Sequence, residues 1–309
     1  MLNFFVSSKP TILLTGATGR LPSLLRVKWA SEFEVISFSR TPGKDLLPLE
    51  QLSDPHLLRN ADAIVHAAWS TVPATAEENP QQSWQQDHPL LETICESLAA
   101  TEKPPPLFFF SSGSVYGNCD GSGSVETDRP HPQSQYARAK REGEEILENR
   151  ARETGFPLVI LRISNVYGFP VREGRPQGVV SALLHSAATD SEFHLWGSGE
   201  EVKDYLHVDD LASAVASIFK NGMVSQSVCY NVASGCSASV LELIELVEKT
   251  SGRSLKISMD GQTECSGWDL ERNLLDSDRL RRRTGWRPRF PLEAGIESEW
   301  RAVPRQEGF

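Results

Sequence analysis

The 309-residue chain carries no excess of positive charge: 31 lysines and arginines stand against 41 aspartates and glutamates, a net charge of −10. That balance gives no electrostatic reason to expect nucleic acid as a partner, although a few local basic residues can still hold a phosphate. Cysteine is sparse, and the five present (Cys95, Cys119, Cys229, Cys236, Cys265) have no metal-ligand spacing. An odd, dispersed set points to a reducing compartment and to thiols outside any disulfide framework. Asp209-Asp210 invites a metal reading, but no further ligands lie at suitable spacing, so no metal is expected. Asp209 is expected instead to cap a helix beginning at Leu211. The apolar start, Met1 to Val6, is too short for a signal peptide or a membrane span. A cytoplasmic protein without a membrane partner is the expectation. There is no internal repeat and no low-complexity tail.

The residues that are present describe an ordinary soluble protein, 39% hydrophobic and 23% charged. Strand-like runs fall at 11–15, 33–38, 63–66, 107–111 and 157–162, with helical stretches such as 86–100 and 134–154 between them. Alternation of that kind argues for an α/β fold with a doubly wound parallel sheet. Lys103-Pro104-Pro105-Pro106 stops a helix before the next strand, because proline biases its predecessor toward extended structure.

Three features carry chemistry. Tyr136 and Lys140 are four residues apart, so a helix puts both on one face. A nearby ammonium is expected to lower the phenol pKa, letting the tyrosine take a proton from a sugar or alcohol hydroxyl near neutral pH. An isolated pair of this kind is as readily a solvated helix face. The second feature is Gly16-Ala17-Thr18-Gly19-Arg20-Leu21-Pro22, directly after the apolar run Thr11–Thr15. A strand, a glycine turn and a helix in succession bring backbone amides to a pyrophosphate. Pro22 stands where a third glycine is usual, and proline is tolerated in a first helical turn. The third is Phe108-Phe109-Phe110-Ser111-Ser112-Gly113-Ser114-Val115-Tyr116-Gly117, an apolar strand that delivers hydroxyls at its carboxyl end. A Ser/Gly loop capping a buried strand would look the same.

With Leu161-Arg162-Ile163-Ser164-Asn165-Val166-Tyr167-Gly168, Trp196-Gly197-Ser198-Gly199-Glu200 and Lys203-Asp204-Tyr205-Leu206-His207-Val208-Asp209-Asp210 added, the chain resembles the extended short-chain dehydrogenase/reductase family. The likeness is to its nucleotide-sugar epimerases and dehydratases, and runs from about residue 10 to about residue 300. Ala61 to Ala68 and the stretch from Asn273 to Pro288 extend it. The resemblance implies a Rossmann domain over 1–165 and 206–232, and a smaller discontinuous α/β substrate-binding domain over 166–205 and 233–309. Val228–Val232 is expected to return to the main sheet. Ser112, Tyr136 and Lys140 are implied as the catalytic residues. Gly16, Thr18, Gly19, Arg20 and Leu21 are implied for the pyrophosphate turn, with Asp62 near the adenine and Ala67 and Ala68 beside the cofactor. Ser114, Asn165, Val180, Trp196 and Lys203 are implied for the nucleotide-sugar substrate. Lys203 stands where relatives more often have arginine, which keeps the charge and loses the bidentate fork. Asp87 lies near a position where relatives often carry asparagine. The helices 86–100 and 134–154 could pair into the four-helix interface of a homodimer.

The second strand ends in Ser39-Arg40, where enzymes selecting NAD commonly place a carboxylate. Arg40, with Ser39 and Arg20, would suit a 2′-phosphate, so the cofactor is NAD or NADP with NADP favoured by this residue. The motifs favour a 4-epimerase acting by transient oxidation at C4 of an NDP-hexose. The alternatives are an NADPH-dependent 4-ketoreductase of an NDP-4-keto-6-deoxyhexose and a non-catalytic NAD(P)-binding sensor. A 4,6-dehydratase is disfavoured, since Ser112 is followed by Gly113-Ser114 with neither Asp nor Glu.

Overall fold

A computed structural model of the chain describes residues 9–41, 43–170, 178–222, 226–259 and 270–303. The apolar start, Cys265 and Pro176-Gln177 lie outside them. The chain opens with β1 (Thr11–Thr15), buried along nearly its whole length, and turns through glycine into α1 (Arg20–Trp29). β2 (Glu34–Ser39), the short β3 (Leu47–Pro48), α2 (Pro55–Asn60) and β4 (Ala63–His66) follow. Next come α3 (Pro73–Glu78), α4 (Gln82–Ala99), β5 (Leu107–Ser112), α5 (Gln135–Thr154) and β6 (Leu158–Ile163). α4 begins four residues before the sequence expectation and passes through Pro89.

The remainder consists of β7 (Asn165–Tyr167), α6 (Val179–Thr189), β8 (Glu192–Leu195), β9 (Val202–His207), α7 (Val208–Lys220) and β10 (Val228–Val232). After these lie β11 (Ser237–Ala238), α8 (Val240–Ser251), β12 (Lys256–Met259), β13 (Arg272–Asn273), α9 (Asp278–Thr284) and α10 (Leu292–Ala302).

Seven strands form one parallel sheet in the order β10-β6-β5-β4-β1-β2-β3, so Val228–Val232 does join the main sheet. The order reverses between β1 and β4, and an open α/β sheet takes its ligands at the carboxyl ends of strands where that happens. β5 is central and almost wholly buried, which is why it tolerates three consecutive phenylalanines. α5 turns Ala137, Lys140, Gly143, Glu144, Leu147 and Ala151 inward at three- and four-residue spacing. Leu13, Phe38, Ile64, Leu91, Phe109, Leu147 and Ile160 share one core cluster.

The chain divides by packing into two compact units. The first holds 1–112, 135–162 and 215–230; the second holds 113–134, 163–214 and 231–309. This division differs from the boundaries implied by the resemblance, because 113–134, 163–165, 206–214 and 231–232 group with the second unit. Tyr167, Val180, Leu183, Tyr205, Leu243 and Ile296 lie in that unit's core. One expectation is corrected there. α7 starts at Val208, so Asp209 is inside its first turn rather than at its cap, and its N–H is given to His207 Nδ1 at 3.2 Å. Asp210 instead accepts the backbone N–H groups of Arg289 and Phe290, at 2.8 and 3.0 Å. Among the described residues no helix is long and apolar enough to cross a membrane.

Candidate active site

The glycine turn is shaped by close backbone approach. Gly16 has φ +75°, and a Cβ there would lie 2.7 Å from Ala68 Cα, so both conformation and space require glycine. Thus the turn rests directly on the Ala67-Ala68 segment that follows β4. Gly19 stands at the N-cap of α1 without a side chain to cap the first turn, which also holds no acidic residue. Amides and the helix dipole there suit an anion. Pro22 is buried within this first turn, and the helix runs unbroken past it, Ser23 N donating to Gly19 O at 3.0 Å. These features fit the pyrophosphate of a dinucleotide.

At the end of β2, Ser39 is buried and serves as a brace. Its Oγ lies 3.3 Å from Thr18 Oγ1 and accepts from Thr41 N at 3.2 Å. Arg40 is exposed and donates to Gln86 Oε1 on α4. Asp62 falls elsewhere. It precedes β4, and its carboxylate accepts from Thr11 N at 2.7 Å, at the first residue of β1. That is the amino end of the sheet, so Asp62 cannot be grouped with the glycine turn and is removed from the cofactor set.

Tyr136 and Lys140 occupy the start of α5 and Ser112 the end of β5, all in the first unit. Lys140 Nζ donates to Phe110 O at 2.8 Å, docking α5 on β5 two residues before Ser112. Its ammonium lies 3.8 Å from the centre of the Trp69 ring and 5.9 Å from that of Tyr136. Burial pulls Lys140 down to about 7, opposed by the Asp87 and Glu144 carboxylates. The phenol behaves contrary to expectation. Burial pushes the Tyr136 pKa up and Asp87 adds to the rise, the opposite direction to the lowering expected from the Tyr136–Lys140 spacing. The physical reason is that burial penalises the charged phenolate, and a neighbouring carboxylate penalises it further.

Around this pair lie Glu144, which motif reading passed over, and Asp87, which it noted only as lying near a position where relatives often carry asparagine. Glu144 is fully buried and receives Ser111 Oγ at 2.5 Å, Arg162 at 3.0 and 2.7 Å, and Arg141 at 2.7 Å. The repeat Tyr136, Lys140, Glu144 could have signalled it, since one helix face carries all three. Asp87, also buried, accepts Ser70 N at 2.9 and 3.1 Å and Ser70 Oγ at 2.7 Å. His66 Nδ1 lies 2.9 Å from Thr15 Oγ1, and burial, then Lys140, pull the imidazole down to about 3. It is neutral at physiological pH.

The second unit holds the residues implied for substrate. β7 pairs with β9 so that Asn165 faces Tyr205, and Asn165 Nδ2 donates to Asp204 O at 3.2 Å. Asn165 on β7 is thereby set beside β9, two residues along from Lys203. The Asp204 carboxylate is buried and takes Ser234 N at 2.9 Å, Ser234 Oγ at 3.0 Å and Gly235 N at 2.7 Å. Trp196 is 69% exposed, its ring set edge-on to His194 at 4.6 Å. Ser114 lies half-buried in the short helical turn after β5. Val180 does not join them, since its side chain belongs to the second unit's hydrophobic core. Among the described residues no group of three or more His, Cys, Asp or Glu could hold a metal ion.

Comparison with known proteins shows the family. Residues 12–233 match the NAD dependent epimerase/dehydratase family. The chain is 25% identical to the dTDP-4-dehydro-6-deoxyglucose reductase of Escherichia coli over 94% of its length and 96% of that protein. It is 28% identical to a UDP-glucose 4-epimerase of Rhizobium meliloti, over 83% of this chain and 81% of that one. A UDP-glucose-4-epimerase from Stenotrophomonas maltophila, solved with bound NAD and formylated UDP-arabinopyranose, shares the fold at TM-score 0.82 and 21% identity, over 95% and 97% of the two chains. The protein belongs to the NAD-dependent epimerase/dehydratase family and is an enzyme of the extended short-chain dehydrogenase/reductase type.

Proposed function

We propose that the protein is a 4-epimerase of a nucleotide-linked hexose, acting by transient oxidation at C4. The observation that carries this is the docking of Lys140, one helical turn from Tyr136, against the end of β5, with Ser112 there and no carboxylate at the two positions after it. A bound nicotinamide dinucleotide supplies the hydride acceptor and donor. Tyr136 takes the C4 hydroxyl proton in the oxidising half and returns a proton when the 4-keto group is reduced on its other face. Ser112 hydrogen-bonds the same oxygen where charge develops. The raised phenol pKa suits the donating step, and the accepting step depends on the charge of Lys140. Asn165 and Lys203 are assigned to the diphosphate, with a looser grip than arginine would give.

A second reading, an NADPH-dependent 4-ketoreductase of an NDP-4-keto-6-deoxyhexose, is favoured by Arg40 at the end of β2 and by the Escherichia coli relative. Released nucleotide identified by mass from denatured, freshly purified protein separates the two. Stoichiometric NAD, with interconversion of UDP-glucose and UDP-galactose without added reductant, supports the epimerase. NADP or an empty protein, with NADPH oxidation by a nucleotide-linked 4-keto-6-deoxyhexose, replaces it by the reductase. A cytoplasmic homodimer through α4 and α5 is the proposed assembly, and Trp84 on α4 is 56% exposed.

A further inference from the structure

We propose that Trp69 is a positioning residue for Lys140, set over the ammonium by a notch at Gly143 and a clamp from Asp87. The inference rests on the family's nicotinamide chemistry and not on which sugar is turned over.

Trp69 follows β4 and is half-buried, with its ring packed edge-on to Phe109 at 5.8 Å between centroids. The Lys140 ammonium sits 3.8 Å from the indole centroid, against 5.1 Å for Phe109 and 5.9 Å for Tyr136. One N–H goes to Phe110 O, and the ring faces meet the rest of the charge. A ring quadrupole attracts a cation at this distance and gains in strength as water leaves. The indole has no competing polar reason to be there, since its N–H meets no acceptor among the described residues.

Two features on other elements hold the ring in place. Gly143 lies three residues beyond Lys140 on the same face of α5. A Cβ there would come within 3.2 Å of Trp69 Cη2, 3.2 Å of Phe109 Cζ and 3.3 Å of Leu91 Cδ1. Glycine weakens a helix interior, so the notch is its structural use here. On the other side Asp87, from α4, takes both the N–H and the hydroxyl of Ser70, the residue next to Trp69. Asp87 therefore acts on Lys140 twice, by fixing the ring's neighbour and by its charge. The groups facing the ammonium are Trp69 and His66 from the β4 side, Phe109 and Phe110 from β5, Asp87 from α4, and Tyr136 and Glu144 on α5.

The test needs no sugar substrate. Purified full-length protein is treated with acetic anhydride over a series from about pH 6 to pH 10, spanning the charged and neutral forms of a lysine, and acetylation of the Lys140 peptide is followed by mass spectrometry. NADH and NADPH affinities are titrated on the same variants. W69L is expected to label Lys140 about tenfold faster and to bind nucleotide about tenfold more weakly, while W69F stays within about threefold of the natural protein on both counts. D87N is expected to label faster and to move the pH midpoint of labelling downward, because a compensating negative charge is gone. Natural labelling rates in W69L, or equal effects of W69F and W69L, would overturn the proposal. So would faster labelling with unchanged nucleotide affinity, which would make Trp69 a cover only. If W69L fails to fold, W69F and D87N decide. A natural protein that binds neither nucleotide would refute the dehydrogenase reading, and labelling would still decide the Trp69 contact.

Discussion

Removal of the Glu144 carboxylate is the sharpest test of how α5 is held. Glu144 is fully buried, and Arg162 beside it has a side chain only 5% exposed. Arg141, the other guanidinium on Glu144, is 22% exposed and also reaches Glu145 at 3.1 Å and Glu148 at 3.4 Å. In Glu144→Ala, Arg141 keeps partners and water, whereas the buried Arg162 guanidinium loses the carboxylate that accepts from its Nε and Nη2. The cost of breaking a buried pair on one side is about 3–5 kcal/mol. Ser111 loses its acceptor as well, adding about 1 kcal/mol. At about 2–3 °C per kcal/mol for a chain of this size, Tm should fall by roughly 8–18 °C, read by circular dichroism on heating. The paired exchange Glu144→Met with Arg162→Met removes both charges at once and should recover most of the loss, to within about 2 kcal/mol of the natural protein. A drop of less than about 2 °C in the single variant, or a pair no better than the single, would refute the reasoning.

Four further outcomes are expected. Tyr136→Phe should lower turnover by about 10²–10⁴-fold while nucleotide binding persists, checked by steady-state kinetics beside NADH titration. Gly16→Ala forces a Cβ against Ala68 at φ +75°, and should abolish nucleotide binding and cost at least about 1 kcal/mol in urea unfolding. His66 has its folded pKa depressed to about 3 from 6.5, so the unfolded chain binds more protons in that window. Its contribution is fully present above 6.5 and is lost as pH falls toward 3, with a slope of at most about 1.4 kcal/mol per pH unit; His66→Asn should flatten this acid limb in urea titrations. Arg40→Asp should weaken NADPH at least about tenfold more than NADH, and equal effects would remove Arg40 from cofactor selection.

Some of this was open to reading along the chain because it depends on neighbours in sequence. Gly16 follows β1 directly, Tyr136 and Lys140 are one helical turn apart, and the serine pair ends an apolar strand. Those are consequences of strand and helix periodicity and of glycine's freedom at positive φ. Position along the sheet was less legible. Asp62 precedes a strand rather than following it, and the distinction between the two ends of the sheet moved it away from the glycine turn. Val180 shows the same limit, since only packing tells a core valine from a lining one.

The chain by itself determined the alternation of strand and helix, the glycine turn and the Tyr136–Lys140 pair, since each is written in residues a few positions apart. Tertiary structure decided what those residues can do. The seat of Lys140 beneath Trp69, the burial that raises the Tyr136 pKa, and the Asp87 and Glu144 carboxylates that oppose Lys140 deprotonation come from separate elements or from the dryness they create together. Local sequence sets conformation, but a side chain's charge is set by the field and solvent exclusion of everything packed around it.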